Sequence, residues 1–207
     1  MPGVVDALDV VGCHCYVQPD EPELVIELAR AFRQAADENG AAGLPMWCTE
    51  FGISQFYSNN TFYPDADATQ APAALAVSYI QRYMLAAWLG GCARAYWYGW
   101  DHAAMKLTLV DQTTPTTVKP AGRAFQDLAA RLIGSRIEEF SIVDGAWMVA
   151  YTTKDGARRL MSWTSDNGSA SVDVTRAQVT RAITDAGTGT FGTAATISTQ
   201  MPITKTP

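Results

Sequence analysis

Three short apolar runs, each followed by an amphipathic stretch, organise the first two-thirds of the chain. Asp9–Tyr16 (DVVGCHCY) is rich in β-branched and aromatic residues and reads as a strand. Asp20 then caps a helix, with Glu23 three residues on as its capping-box partner. Leu24, Leu28, Phe32 and Ala35 recur at helical spacing and predict its buried stripe. Asn39–Gly40 closes the helix, because glycine accepts the left-handed cap conformation. Pro45–Phe51 (PMWCTEF) is a second strand, bounded by Pro45 and Gly52. A long loop follows to about residue 68 and holds Phe56, Tyr57, Asn59, Asn60, Phe62 and Tyr63. Loops of this length are functional or disordered, and the density of aromatics argues against disorder. The next helix, Gln70–Leu89, turns Leu75, Tyr79, Tyr83, Ala87 and Trp88 inward and ends at Gly90–Gly91. Ala93–Tyr98 is a third strand. A polar segment from Asp101 to Lys119 leads to a last helix, Ala121–Ile133, which Gly134 ends.

Strands alternating with helices predict βαβ units and a parallel sheet. From about Ile137 the period changes. Short alternating runs are separated by Asp144–Gly145, Asp155–Gly156 and Asn167–Gly168, which are hairpin signals. The predicted strands are Glu139–Val143, Trp147–Thr152, Arg158–Thr164, Ala170–Asp173, Arg181–Thr184 and Thr196–Ser198. The expected fold class is therefore α/β plus β, an α/β domain over residues 1–134 and an antiparallel, sandwich-like β domain over 135–207.

Composition narrows the function. Apolar residues make up 48% and charged residues 17%, which excludes an intrinsically disordered chain. The net charge is −6 and no Lys/Arg cluster stands out, so no nucleic-acid partner is expected. The longest uncharged apolar stretch, Tyr83–Ala93, is too short and too glycine-rich to span a bilayer, so no membrane partner is expected. The first residues (MPGVVDALDVV) show no secretion-signal pattern, and the compartment stays open. Four cysteines do not make a disulfide scaffold. Six tryptophans and eight tyrosines suit a core, or a surface that stacks on sugar rings.

Glu50 is the first chemical candidate. It ends a predicted parallel strand before a glycine and a long loop, where ligands bind in α/β folds. The same position also suits a solvated acid. His14 and Tyr16 lie two apart on one strand and share a face, as a site pair or as hydrogen-bonded core residues. Cys13 and Cys15 share the opposite face. A metal site from Cys13, His14 and Cys15 has poor geometry for that reason, so neither metal nor cofactor is expected. Trp97, Tyr98, Trp100 and Asp101 close the third strand (YWYGWD), as a stacking platform or as core packing. Gly187, Gly189 and Gly192 spell a dinucleotide fingerprint but precede no helix, and no Walker motif or nucleophile elbow occurs.

The order His14-x-Tyr16, then Trp47-Cys-Thr-Glu50-Phe-Gly52, then Tyr96-Trp97 resembles the last three βα units of a clan A (β/α)8-barrel glycoside hydrolase, in the style of families 39 and 5. The tail, with Asp185-Ala-Gly187 and a last strand into Met201-Pro202-Ile203, resembles the accessory β domain of such enzymes. The resemblance implies a partial barrel equivalent to strands six to eight and a retaining glycosidase of β-linked sugars. It implies Glu50 as nucleophile, His14 and Tyr16 as the pair lining the sugar subsite beside it, and Trp97 as the platform beneath the ring. Trp100 and Asp101 join the expected sugar-binding set.

The family's acid/base glutamate follows an asparagine, and no Asn-Glu pair occurs in this chain. A full barrel takes about 250 residues. The expectation is accordingly the C-terminal part of a larger enzyme, either active or reduced to a carbohydrate-binding remnant. Its open strand edges predict self-association into a homo-oligomer that completes the barrel.

Overall fold

The computed structural model describes residues 5–17, 21–53, 73–102, 104–143, 145–165, 169–172, 182–184, 187–189 and 195–198. It divides into two compact units, Met1–Arg123 and Ala124–Pro207.

The first unit holds β1 (Val11–His14), α1 (Leu24–Glu38), β2 (Met46–Phe51), α2 (Ala73–Leu89) and β3 (Arg94–Trp97), and α3 (Pro120–Leu132) begins in it. The three strands form one parallel sheet in the order β1-β2-β3. No helix among the described residues is long and apolar enough to cross a membrane. One face of the sheet is covered. Cys13, Met46, Cys48, Phe51 and Trp97 are all buried. Tyr83 of α2 packs against Phe51 and Trp97, with ring centroids 5.9 and 5.5 Å apart. The other face carries Gly12, His14, Thr49, Arg94 and Tyr96, all exposed.

Helix α1 differs from its predicted form in two ways. Leu24 and Phe32 are exposed at 38% each, and the buried residues are Val25, Ile26 and Ala29. The small side chain of Ala29 turns inward because it lets α1 approach Gly90, where an added Cβ would lie 2.6 Å from the Ala29 Cβ. The helix also starts later than expected, and Asp20, its expected cap, lies outside the described residues. Glu23 is the N-cap residue but makes no cap hydrogen bond, and its carboxylate instead accepts from the buried Arg82 of α2. The C-terminus is as predicted. Gly40 adopts φ +90° and Ala41 N donates to Ala36 O at 2.9 Å.

The segment after β3 is not the polar link expected of it. Met105–Val110 is buried throughout. Its alternating Met105, Leu107 and Leu109 fill the first unit, while Lys106 N donates to Ile53 O at 2.8 Å and Leu109 N to Trp100 O at 2.9 Å. The predicted aromatic loop falls on residues outside those described, as does the start of the second helix.

The second unit contains β4 (Arg136–Val143), β5 (Ala146–Thr152), β6 (Arg158–Thr164), β7 (Ser169–Val172), β8 (Ala182–Thr184), β9 (Gly187–Gly189) and β10 (Ala195–Ser198). The sheets are β4-β5-β6-β8-β9 and β10-β7. Gly145 and Gly156, at φ +81° and +84°, make the first two hairpin turns. Trp147 and Trp163 stack across β5 and β6 with centroids 6.0 Å apart. The expected all-antiparallel pattern fails at one place: β6 and β8 pair in parallel. The chain leaves β6 and forms β7 in the other sheet before β8 returns, and a connection that long permits a parallel pairing that a tight turn forbids.

Candidate functional site

The C-terminal end of β2 contains an irregularity that decides where Glu50 points. Against β1, Cys13 pairs with Cys48 but His14 with Glu50. Against β3, Cys48 pairs with Ala95 but Phe51 with Trp97. Both neighbours thus see one extra residue on β2 between Cys48 and Phe51, a bulge. Strict alternation from buried Cys48 would bury Glu50 and expose Phe51. With the bulge, Phe51 is fully buried and Glu50 turns to the open face.

There Glu50 meets the two β1 residues. The Tyr16 hydroxyl donates to Glu50 Oε2 at 3.1 Å, and His14 Nδ1 lies 3.5 Å from the same oxygen. The Glu50 side chain is 39% exposed and that of His14 55%, so the carboxylate is oriented and still reachable from solvent. Burial pushes the Tyr16 phenol above its ordinary pKa, and the hydrogen bond and charge of Glu50 push the same way, so Tyr16 stays a donor. Cys15 N donates to Glu50 O at 2.9 Å and ties the segment after β1 to the bulge. Gly52 closes β2 under tight constraint, for a Cβ there would lie 1.8 Å from Tyr98 O.

The same face continues in aromatics. Arg94 lies over the Trp47 ring at 4.6 Å, and Tyr96 packs against Trp47 at 6.2 Å. Trp100, 49% exposed, and Asp101, also exposed, follow β3. Trp97 is placed differently from the others. It is buried, packs edge-on against Phe51 at 5.3 Å, and gives its indole N–H to Leu107 O at 3.1 Å. The structure thus brings Glu50, His14 and Tyr16 together and sets Trp97 in the covered layer. Tyr98, exposed beside His102 with ring centroids 5.5 Å apart, is presented instead.

A second cluster lies on the covered face. Cys13, Cys15 and Cys48 bring their thiols within 4.8 Å of one another, and Cys13 and Cys15 Sγ are 3.6 Å apart. Cys92, just before β3, is also buried. All four cysteines are free. Hydrogen bonds from Cys15, Cys48 and Cys92 pull the Cys13 thiol well below its ordinary pKa. The Cys15 thiol is pushed up by its bond to Cys13, then by Cys48, Cys92 and burial, and the bond to Cys13 is also the main cause of the rise at Cys92. Sequence reasoning placed Cys13 and Cys15 on one face but missed Cys48 as their neighbour. The signal was the shared depth of Cys13 and Cys48 in their strands, legible only once the register was known.

No protein-family model and no curated protein matches the chain. Among solved structures it is similar to a family 39 glycoside hydrolase from the gut symbiont Bacteroides cellulosilyticus WH2, with 19% sequence identity and a TM-score of 0.58. The match covers 82% of this chain and 36% of that one. Over most of its length the chain has a fold like part of a family 39 glycoside hydrolase.

Proposed function

We propose that this chain builds the nucleophile side of a retaining β-glycosidase site, with Glu50 as the nucleophile. The observation that carries the reading is the solvent-reachable Glu50 carboxylate, held at the end of a central parallel strand by the Tyr16 hydroxyl at 3.1 Å. A carboxylate so oriented can attack an anomeric carbon. The bond from Glu50 oxygen to that carbon forms as the glycosidic C–O bond breaks, and the bonding pair leaves with the departing oxygen. Water then cleaves the glycosyl ester and returns the carboxylate. Tyr16 fixes which oxygen is free to attack, and His14 lines the same edge. Trp100 and Asp101 supply sugar-contacting surface beyond β3. Protonation of a poor leaving group needs a second carboxyl about 5–5.5 Å from the first. That group belongs to the remainder of a whole site, and the chain spans 36% of the glycosidase it matches.

The test uses dinitrophenyl β-glycosides, whose leaving group departs without a proton. Wild-type chain should release one equivalent of phenolate rapidly, and mass spectrometry should find the sugar on the Glu50 peptide. Glu50→Gln should abolish both. Tyr16→Phe should slow the burst about 10- to 100-fold, the worth of one hydrogen bond to a charged group. Labelling that persists in Glu50→Gln would overturn the assignment. Sugar-dependent tryptophan quenching without any burst would favour the binding-remnant reading, which the exposed Trp100 also suits.

A further inference from the structure

The four buried cysteines have no part in the proposed sugar chemistry. They face the opposite side of the sheet from His14, which is exposed. They come from three places: Cys13 and Cys15 at the end of β1, Cys48 in β2, and Cys92 at the entry to β3. Those four are every cysteine in the chain. As small apolar side chains they could pack anywhere in a core, so the convergence of the Cys13, Cys15 and Cys48 thiols to within 4.8 Å of one another, with Cys92 buried at the entry to the neighbouring strand, is what needs explaining.

Disulfide pairing explains it poorly. Cys13 and Cys15 lie two apart, at the end of one strand, where the chain is too extended for a relaxed bridge, yet their sulfurs lie 3.6 Å apart. A tetrahedral thiolate shell explains it well. With zinc–sulfur bonds of about 2.3 Å, neighbouring sulfurs sit about 3.8 Å apart. The Cys13–Cys15 separation is already close to that value, and Cys48 needs a shift of about an ångström or less at its side chain.

We propose that Cys13, Cys15, Cys48 and Cys92 form a structural site for a soft tetrahedral cation, zinc foremost. The chemistry of the donor set selects the ion, since thiolates exclude magnesium and calcium and suit zinc. On binding, each thiol that ligates gives its proton to solvent as its S–H bond is replaced by an S–Zn bond, with no change of oxidation state. The burial of all four cysteines suits a structural rather than a catalytic centre. Its effect would be to pin β1, β2 and the entry to β3 together directly behind the Glu50 bulge. This inference stands apart from the glycosidase reading and survives its failure.

The experiment is a cobalt titration of the full, reduced, chelator-treated chain, followed by competition with zinc. The expected result is one cobalt per chain, with thiolate charge-transfer absorption and the intense visible bands of tetrahedral cobalt, displaced by one equivalent of zinc. Zinc should also raise the melting temperature and slow thiol modification in the folded chain. Cys48→Ser should weaken cobalt binding at least tenfold while far-ultraviolet dichroism stays native. Should that variant fail to fold, the wild-type titration and thiol protection still decide the question. Folded wild-type chain that binds no cobalt, or binds it with the weak spectrum of an octahedral oxygen site, overturns the proposal. So does a chain whose thiols react at the same rate with and without zinc.

Discussion

Arg82→Met probes a buried ion-pair network of the first unit. Arg82 of α2 is fully buried and Glu23, at the start of α1, is 5% exposed. The guanidinium donates through Nε to Glu23 Oε1 at 2.6 Å, through Nη2 to Glu23 Oε2, and again through Nη2 to Glu21 Oε2 at 2.6 Å. Burial alone would push the Arg82 pKa down; the hydrogen bonds and charge of Glu23 and Glu21 reverse this and leave it above its ordinary value. Removing the cation while Glu23 stays buried should cost about 3–5 kcal/mol, because a desolvated carboxylate loses the charge that neutralises it. Replacing both partners, in Arg82→Met/Glu23→Leu, should recover most of that loss, since an apolar pair carries no desolvation penalty. The assay is urea unfolding followed by helical ellipticity, which reports chiefly on α1, α2 and α3. With a slope of about 2 kcal/mol/M, the single variant should lower the midpoint by about 2 M. A single-variant loss below about 1 kcal/mol, or a double variant no more stable than the single, would refute the reasoning.

Three further substitutions separate the roles of residues around the site. Gly52→Ala forces a Cβ to within 1.8 Å of Tyr98 O and 2.8 Å of Met105 Cε. Backbone cannot yield as a flexible side chain does, so about 3 kcal/mol or more should be lost in urea unfolding, and a loss under about 0.5 kcal/mol would contradict the close approach. Trp97→Ala should cost about 3–5 kcal/mol, as truncation of a buried aromatic does, whereas Trp100→Ala should stay within about 0.5 kcal/mol. Sugar-dependent fluorescence changes should be reduced by Trp100→Ala. Equal stability losses for the two would refute the assignment of Trp97 to the core and Trp100 to the surface.

Local pattern was sufficient for several elements. The apolar runs and their flanking residues placed β2 and α3 to within one residue and the C-terminal end of α2, and the Asp-Gly pairs placed the first two hairpins. These features depend on contacts a few residues apart, which neighbours in sequence dictate. Phase was harder to read. The stripe expected on Leu24 and Phe32 of α1 gave way to one on Val25, Ile26 and Ala29, with Ala29 meeting Gly90, which lies 61 positions later. Glu23 read as a capping-box partner, whereas its carboxylate accepts from Arg82, 59 positions later.

The sequence by itself determined that Glu50 ends a strand, that His14 and Tyr16 share a face, and that Cys13 and Cys15 share the other. Each follows from the two-residue period of an extended chain. Only the tertiary structure decided that Glu50 joins His14 and Tyr16 rather than Cys48. A bulge is defined by the register of one strand against its neighbours, so it leaves no mark in the sequence of that strand alone. The same register brought Cys48 beside Cys13. Strand alternation sorts residues between two faces; which residues then touch is settled by how the strands are laid side by side.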